Sequence, residues 1–402
     1  MITIEITEDN FKEYNLSKQP YLYITNYDRI DKLIVKYKVE YILIEKVNYI
    51  DEFIVENPDN LHFLEFRFCK YFKIPDNLYN LTTLIIRNTV NKYTNDYNRV
   101  KCIPNTLINL KYLKISDNNQ IKELPKELIN LEYLCIKKFT NIKLIPSTYT
   151  KLKELKINVQ PFKIKEIPKE LINLEKIYMY YHYCDVSNFI NLKHLKLYYC
   201  SNIETIPETL TNLEILELCN CFNIETLPNT LTNLEKLEIL IYSDKDYKLT
   251  KLPDEYVNLK FLSLSGLYKI KEIPKTYTKL ETLKIILTTN YTHFIPPEFI
   301  NLKFIYLGAF EEDDIIIPNT LINLIDIISR QSGCSIHPPE YLEKFIKDNQ
   351  KKNNYKPKYY EDEDEDEDDE ENEEDEENEE DDEDEDDEED ENEDEDEDEE
   401  EP

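Results

Sequence analysis

The chain has 402 residues, and its 84 Asp and Glu against 48 Lys and Arg give a formal net charge of −36. Residues 361–401 hold 38 of the acidic groups; the remainder, 46 acidic against 48 basic, is near neutral at +2. That excludes a uniformly acidic protein. It also excludes a folded tail, since a like-charged block without apolar residues cannot offset its chain entropy by burial.

In chain order, the N-terminus MITIEITEDNFKEY has no basic stretch followed by an apolar core, so no secretory signal is expected. No window of about 18 residues is continuously apolar, so no membrane span is expected. An intracellular place follows, cytoplasmic or nuclear, with the eight cysteines as free thiols. Residues 1–38 suggest a polar cap with a strand near 2–6. Val39, Ile42, Ile44, Val47 and Ile50 fit a degenerate repeat, which extends the cap to residue 60.

From Leu61 to about residue 330 one pattern recurs thirteen times, most often at a spacing of 21 residues. Residues 213–233, LEILELCNCFNIETLPNTLTN, show it best: L-x-x-L-x-L-x-x-C-x-x-I-x-x-L-P-x-x-L-x-N. L-x-x-L-x-L predicts a short strand with alternate residues inward, as Leu216 and Leu218 would be. The ninth position (Cys69, Asn118, Cys200, Cys221) can satisfy backbone groups where the chain leaves the strand. Pro at the sixteenth position, as in Pro125, Pro207 and Pro228, suits the first position of a short helical turn. Eleven units are preceded by Asn, with Lys151 and Lys279 the exceptions. Asn is the expected substitute for Gly in a left-handed exit from that turn.

On these residues the chain resembles the intracellular leucine-rich-repeat proteins. The resemblance covers roughly residues 39–330. It implies an α/β solenoid, curved, with a parallel sheet on the concave face and short helical or irregular turns on the convex face. The repeat type and a composition rich in Ile, Asn, Lys and Tyr also resemble proteins of amoebae and their giant viruses.

Three spacings deviate. Leu81 to Leu110 spans 29 residues and predicts a bulge near Asn88 to Asn98. Leu234 to Leu259 spans 25, with SDKDY extruded, and Leu174 to Leu192 only 18, with Val186 in place of Pro. After the repeats, residues 331–350 predict a capping helix with Tyr341, Leu342, Phe345 and Ile346 inward. Residues 351–360 form a basic linker, and 361–402 a disordered Asp/Glu-rich tail.

No chemistry is expected. Three glycines are too few for a phosphate loop, and neither H-E-x-x-H nor C-x-x-C occurs. His182, Cys200 and Cys221 would stack in one column, but zinc needs about four convergent ligands. The chain is therefore expected to be no enzyme and to use no cofactor or metal. The expected function is a protein-binding scaffold. On the concave face the pattern places Lys111, Lys114, Lys137, Lys153 and Lys156, then Lys193 and Lys196. Tyr133, Tyr178, Tyr180 and Tyr198 lie among them, and Glu217 and Glu238 reverse the sign next door. Such a face could hold an extended protein or peptide, with tyrosines as contact residues. The alternative is a binder or chaperone of basic proteins such as histones, working through the tail. Here the layout is similar to the acidic leucine-rich nuclear phosphoproteins. Scarce Arg and a competing polyanion argue against nucleic acid.

Overall fold

A computed structural model describes residues 3–7, 21–87, 100–118, 120–138, 140–159, 164–242, 246–286, 295–308, 315–329 and 336–337. The chain divides into two units, residues 1–350 and 351–402, and the second lies outside the described residues. So do the expected capping helix, linker and tail, apart from Ile336 and His337, which form a two-residue strand beside Ile315–Ile316.

Each of the thirteen repeats contributes one strand to a single parallel sheet, and two N-terminal coils bring it to fifteen strands among the described residues. The strands follow chain order, in register. Leu195, Leu216, Leu237 and Leu262 form one continuous column, all fully buried. A second column runs through Leu192, Leu213 and Leu234, also buried. Burying one leucine is worth about 1.5–3 kcal/mol, and no coil could do it without neighbours on both sides.

The N-terminal coils differ from the rest. Thr3–Ile6, Arg29–Val35 and Tyr49–Val55 form a second, three-stranded parallel sheet. The sequences RIDKLIV and YIDEFIV are β-branched and lack Pro, so they stay extended where later coils turn. Ile4, Ile6, Leu22, Ile24, Ile30, Leu33 and Val35 are buried, so this segment continues the core.

In the later coils the L-P segment makes two consecutive turns. The Pro207 carbonyl accepts from Leu210 N–H at 3.3 Å, and the Leu210 carbonyl from Leu213 N–H at 3.0 Å. In the short unit, Val186 does the same for Phe189 at 3.0 Å. The one helical piece among the described residues is the 3-10 turn Pro58–Asn60. Tyr149, Tyr256 and Tyr277 stand where other coils have Leu or Phe, and each hydroxyl donates to a proline carbonyl of the preceding coil.

The asparagines before each unit do other work than the expected left-handed exit. None of them has positive φ; from Asn80 onward each reaches back to the previous coil. Asn212 Nδ2 donates to the Ile190 carbonyl at 2.9 Å, Asn233 to Thr211 at 2.9 Å and Asn258 to Thr232 at 2.8 Å. Lys151 and Lys279 replace members of this ladder and donate to Asn130 and Asn258 Oδ1, both at 2.7 Å. Left-handed residues stand instead at the end of the strand. Lys46, Phe68, Asp117, Lys138, Tyr181, Tyr199, Asn220 and Gly266 have φ between 51 and 71°. This conformation turns the N–H toward the next coil, as Asn220 N–H does to Leu240 O at 2.8 Å. At Gly266 a Cβ would lie 2.1 Å from the Ile241 carbonyl oxygen, so only glycine fits there.

The insertions leave the sheet intact. Thr83–Arg87 pairs directly with Tyr112–Ser116 across the long spacing; residues 88–99, where a bulge is expected, lie outside the described residues. The expected extrusion of SDKDY is corrected at its last residue: Tyr247 is buried and accepts from the Lys269 N–H.

Leu216→Lys should abolish the single unfolding transition or lower its midpoint by many degrees. An unpaired ammonium in this column costs several kcal/mol, and adjacent coils share it. Thermal unfolding followed by circular dichroism checks this; an unchanged midpoint contradicts the register.

Candidate binding surface

The residue between the two inner leucines of each strand faces the concave side. In register this column reads Glu65, Ile85, Lys114, Cys135, Lys156, Tyr178, Lys196, Glu217, Glu238 and Ser263. Strands about 4.8 Å apart set these side chains closer together than a lysine is long, so they lie on one another. Lys114 is 1% exposed, Tyr178 3% and Glu217 8%. Lys156 Nζ sits 4.8 Å from the Tyr178 ring centre and 5.8 Å from that of Tyr133, and Tyr133 stacks on Tyr112 at 4.0 Å.

The expected lysine patch is therefore divided. Lys114 and Tyr178 are buried and offer little to a partner. Lys111, Lys153 and Lys193 stand at the second position of their units, on the rim where the chain enters the strand, and are exposed. Lys153 pairs with Glu132 at 2.9 Å, Lys111 with Glu132 at 3.9 Å and Lys193 with Glu175 at 3.9 Å. Lys137 is half-buried near its strand's end.

Nor do Glu217 and Glu238 form a separate acidic patch. Lys236 lies 2.5 Å from Glu217 and 3.3 Å from Glu238. Lys196 lies 3.5 Å and His194 3.7 Å from Glu217, and His194 Nδ1 is 3.1 Å from the Tyr178 hydroxyl. Burial pushes the Glu217 carboxyl up, but His194, Lys236 and Lys196 outweigh it and hold the group well below the usual carboxylate range. A second buried carboxylate escaped the sequence reading. Glu65 accepts from Arg67 Nε at 2.6 Å and from Tyr41 at 3.2 Å, with Arg87 Nε at 3.2 Å. The available signal was that Arg67 and Arg87, two of only five arginines, fall one repeat apart and pair in register.

What remains open on this side is aromatic. Tyr180 and Tyr198 pack at 5.5 Å, Tyr198 meets Tyr199 edge-on at 4.8 Å, and Tyr181 stacks on Tyr199 at 5.8 Å. The left-handed backbone at Tyr181 and Tyr199 brings this cluster to the ends of two adjacent strands. Tyr199 is 40% exposed.

The cysteine column is structural. Cys200 Sγ lies 3.6 Å from the Met179 carbonyl, and Cys221 Sγ 3.6 Å from that of Leu197. A hydrogen bond to Cys221 and burial push the Cys200 thiol up, and burial pushes Cys69 and Cys219 up to about 12. These are poor nucleophiles. Among the described residues no group of three His, Cys, Asp or Glu could hold a metal ion.

A parallel sheet of in-register coils, each built on L-x-x-L-x-L and closed by L-P turns, defines a leucine-rich-repeat solenoid; this chain is a leucine-rich-repeat protein. The family model described as "At1g61320/AtMIF1, LRR domain" matches residues 183–326. A leucine-rich-repeat protein of Leptospira interrogans shares the fold, with 21% identity, a TM-score of 0.50, and 70% of this chain and 74% of that chain covered. YopM from Yersinia enterocolitica is 17% identical with a TM-score of 0.39, over 78% of this chain and 73% of that one. No curated protein matches the sequence.

Asp117 gives this face a testable pH response. Burial pushes its carboxyl up from 3.8 to about 6, against a weak pull from Lys138 at 3.9 Å. The native state thus binds the proton more tightly than the unfolded chain, so this residue's contribution worsens as pH rises from about 4 to 6. Asp117→Asn, which also tolerates positive φ, should raise stability by about 1–2 kcal/mol at pH 7.5 and change little at pH 4. Urea unfolding at the two pH values checks the sign.

Proposed function

We propose that this protein is a non-enzymatic scaffold that binds an extended protein segment across the ends of the middle strands on the concave side. The observation that carries it is the Tyr180–Tyr181–Tyr198–Tyr199 cluster, an aromatic surface left open on a face whose charges are paired. Tyrosine supplies contact area at small entropic cost, and solenoids commonly bind along their concave side. Lys196 and Lys156 flank the cluster, and Glu238 lies two strands beyond Lys196.

A second reading has its own support. The 38 acidic groups of residues 361–401 would attract basic proteins such as histones, with an affinity that salt abolishes.

Panning a random peptide library on the immobilised full chain tests the first reading. The expected ligands lose at least tenfold in affinity on Tyr180→Ser/Tyr199→Ser, with an unchanged melting temperature. Ligands indifferent to that change but lost when the tail glutamates become glutamines support the second reading instead.

A further inference from the structure

Two columns run side by side along the rim where the chain enters the strands. In the first, one residue before each ladder Asn or Lys, exposed side chains read Ile108, Ile129, Thr150, Ile172, Ile190, then Thr211. They continue Thr232, Val257, Thr278, Ile300, Ile322. The second column is charged. It reads Lys111, Glu132, Lys153, Glu175, Lys193, then Glu214, Glu235, Lys260, Glu281, Lys303. Each coil from Leu110 to Leu324 contributes one described residue to each column.

Both columns are palindromic about the coil that carries Thr211 and Glu214. Counting outward, Ile190 answers Thr232, Ile172 answers Val257, Thr150 answers Thr278, Ile129 answers Ile300, and Ile108 answers Ile322. Over the inner four coils on each side Lys193 answers Glu235, Glu175 answers Lys260, Lys153 answers Glu281, and Glu132 answers Lys303; at the ends Lys111 meets the apolar Ile325. In the first column like faces like except at Ile190 and Thr232, and the four charged pairs are of opposite sign. This is the self-complementarity an isologous interface requires. A two-fold axis through the central coil, pointing across the solenoid, lays one rim on a second copy of itself, and does so for a curved rod as well as a straight one.

We infer that two copies of this chain associate through this rim, about a two-fold axis at Thr211 and Glu214. The spacing of coils makes the strip about 48 Å long between Lys111 and Ile325, and the turn from Thr211 to Glu214 makes it at most about 10 Å wide. That buries at most roughly 1,000 Å² in total, the size of a weak, reversible association. Exposed isoleucines give it an apolar line, and the charges beside it fix the register. Lys151 and Lys279 would face each other, but their ammoniums are already held by Asn130 and Asn258 at 2.7 Å. At the axis Glu214 meets its own copy, beside a shallow groove lined by Asn191, Asn212 and Asn233. Within the charged column this is the one place where the pattern sets like charges together.

Sedimentation of the full chain at 0.15 M salt, from 1 to 100 μM, should show a reversible dimer. Ile172→Glu/Ile190→Glu should weaken it at least tenfold without loss of fold, since both side chains are exposed. Lys193→Glu should weaken it, Lys193→Glu/Glu235→Lys should restore it, and Glu214→Gln should tighten it. Register is tested by a short bis-maleimide. Thr211→Cys should cross-link to its own copy above the background of the unaltered chain, whereas Thr150→Cys, six coils or about 29 Å from its own copy, should not. A monomer at 100 μM, a dimer indifferent to these changes, or equal cross-linking at both cysteines would overturn the inference.

Discussion

Everything in this molecule depends on one constraint: a coil has no inside until it lies against another. A single turn of about 21 residues exposes its leucines on both flat faces. Only the in-register parallel sheet, with Leu stacked on Leu, closes them off. The same stacking forces every other repeat position into a column at about 4.8 Å pitch. Whatever a residue does, it does beside its own counterpart.

That rule explains the polar columns. Like charges placed directly opposite each other on neighbouring strands destabilise, so a repeat cannot use Lys at one position thirteen times. At the entry rim the signs mostly alternate; on the concave side Glu65 is held by Arg67 of its own strand and Arg87 of the next, and Glu217 by Lys196 and Lys236 of the two adjacent strands. Buried ion pairs of this kind contribute little net stability. They make slippage by one coil costly, because a slipped coil meets the wrong sign.

The fold was legible because the leucine pattern is physical and repeated. Thirteen copies leave no second register, and the strand positions follow. The face was harder to read. Sequence spacing assigns Lys111 and Lys114 to one surface, yet three residues along a strand change both side and depth: one is on the rim, the other under its neighbours. The N-terminal strands Tyr21–Thr25 and Arg29–Val35 lie outside the leucine spacing, and only their alternation could have revealed them. The Asn ladder was misjudged because composition suggested a glycine substitute, whereas the amide was needed as a donor to the coil behind it.

That ladder bears on how the protein ages. Asparagine side chains are lost when the next backbone nitrogen attacks the amide carbon and expels ammonia, closing a five-membered imide that water opens to a carboxylate. Here the next residue is leucine, and its N–H is already given away: Leu213 to the Leu210 carbonyl at 3.0 Å, Leu234 to that of Leu231 at 3.1 Å. The nitrogen lone pair is conjugated and its approach is fixed by two turns. A spine of eleven asparagines, which in a loose chain would be a row of chemical clocks, is thereby kept from running. Were one to convert, a negative oxygen would replace a donor against a backbone carbonyl. The coil behind it would lose its tether at that edge, and wear of the solenoid would begin at the turns while the leucines were still in place.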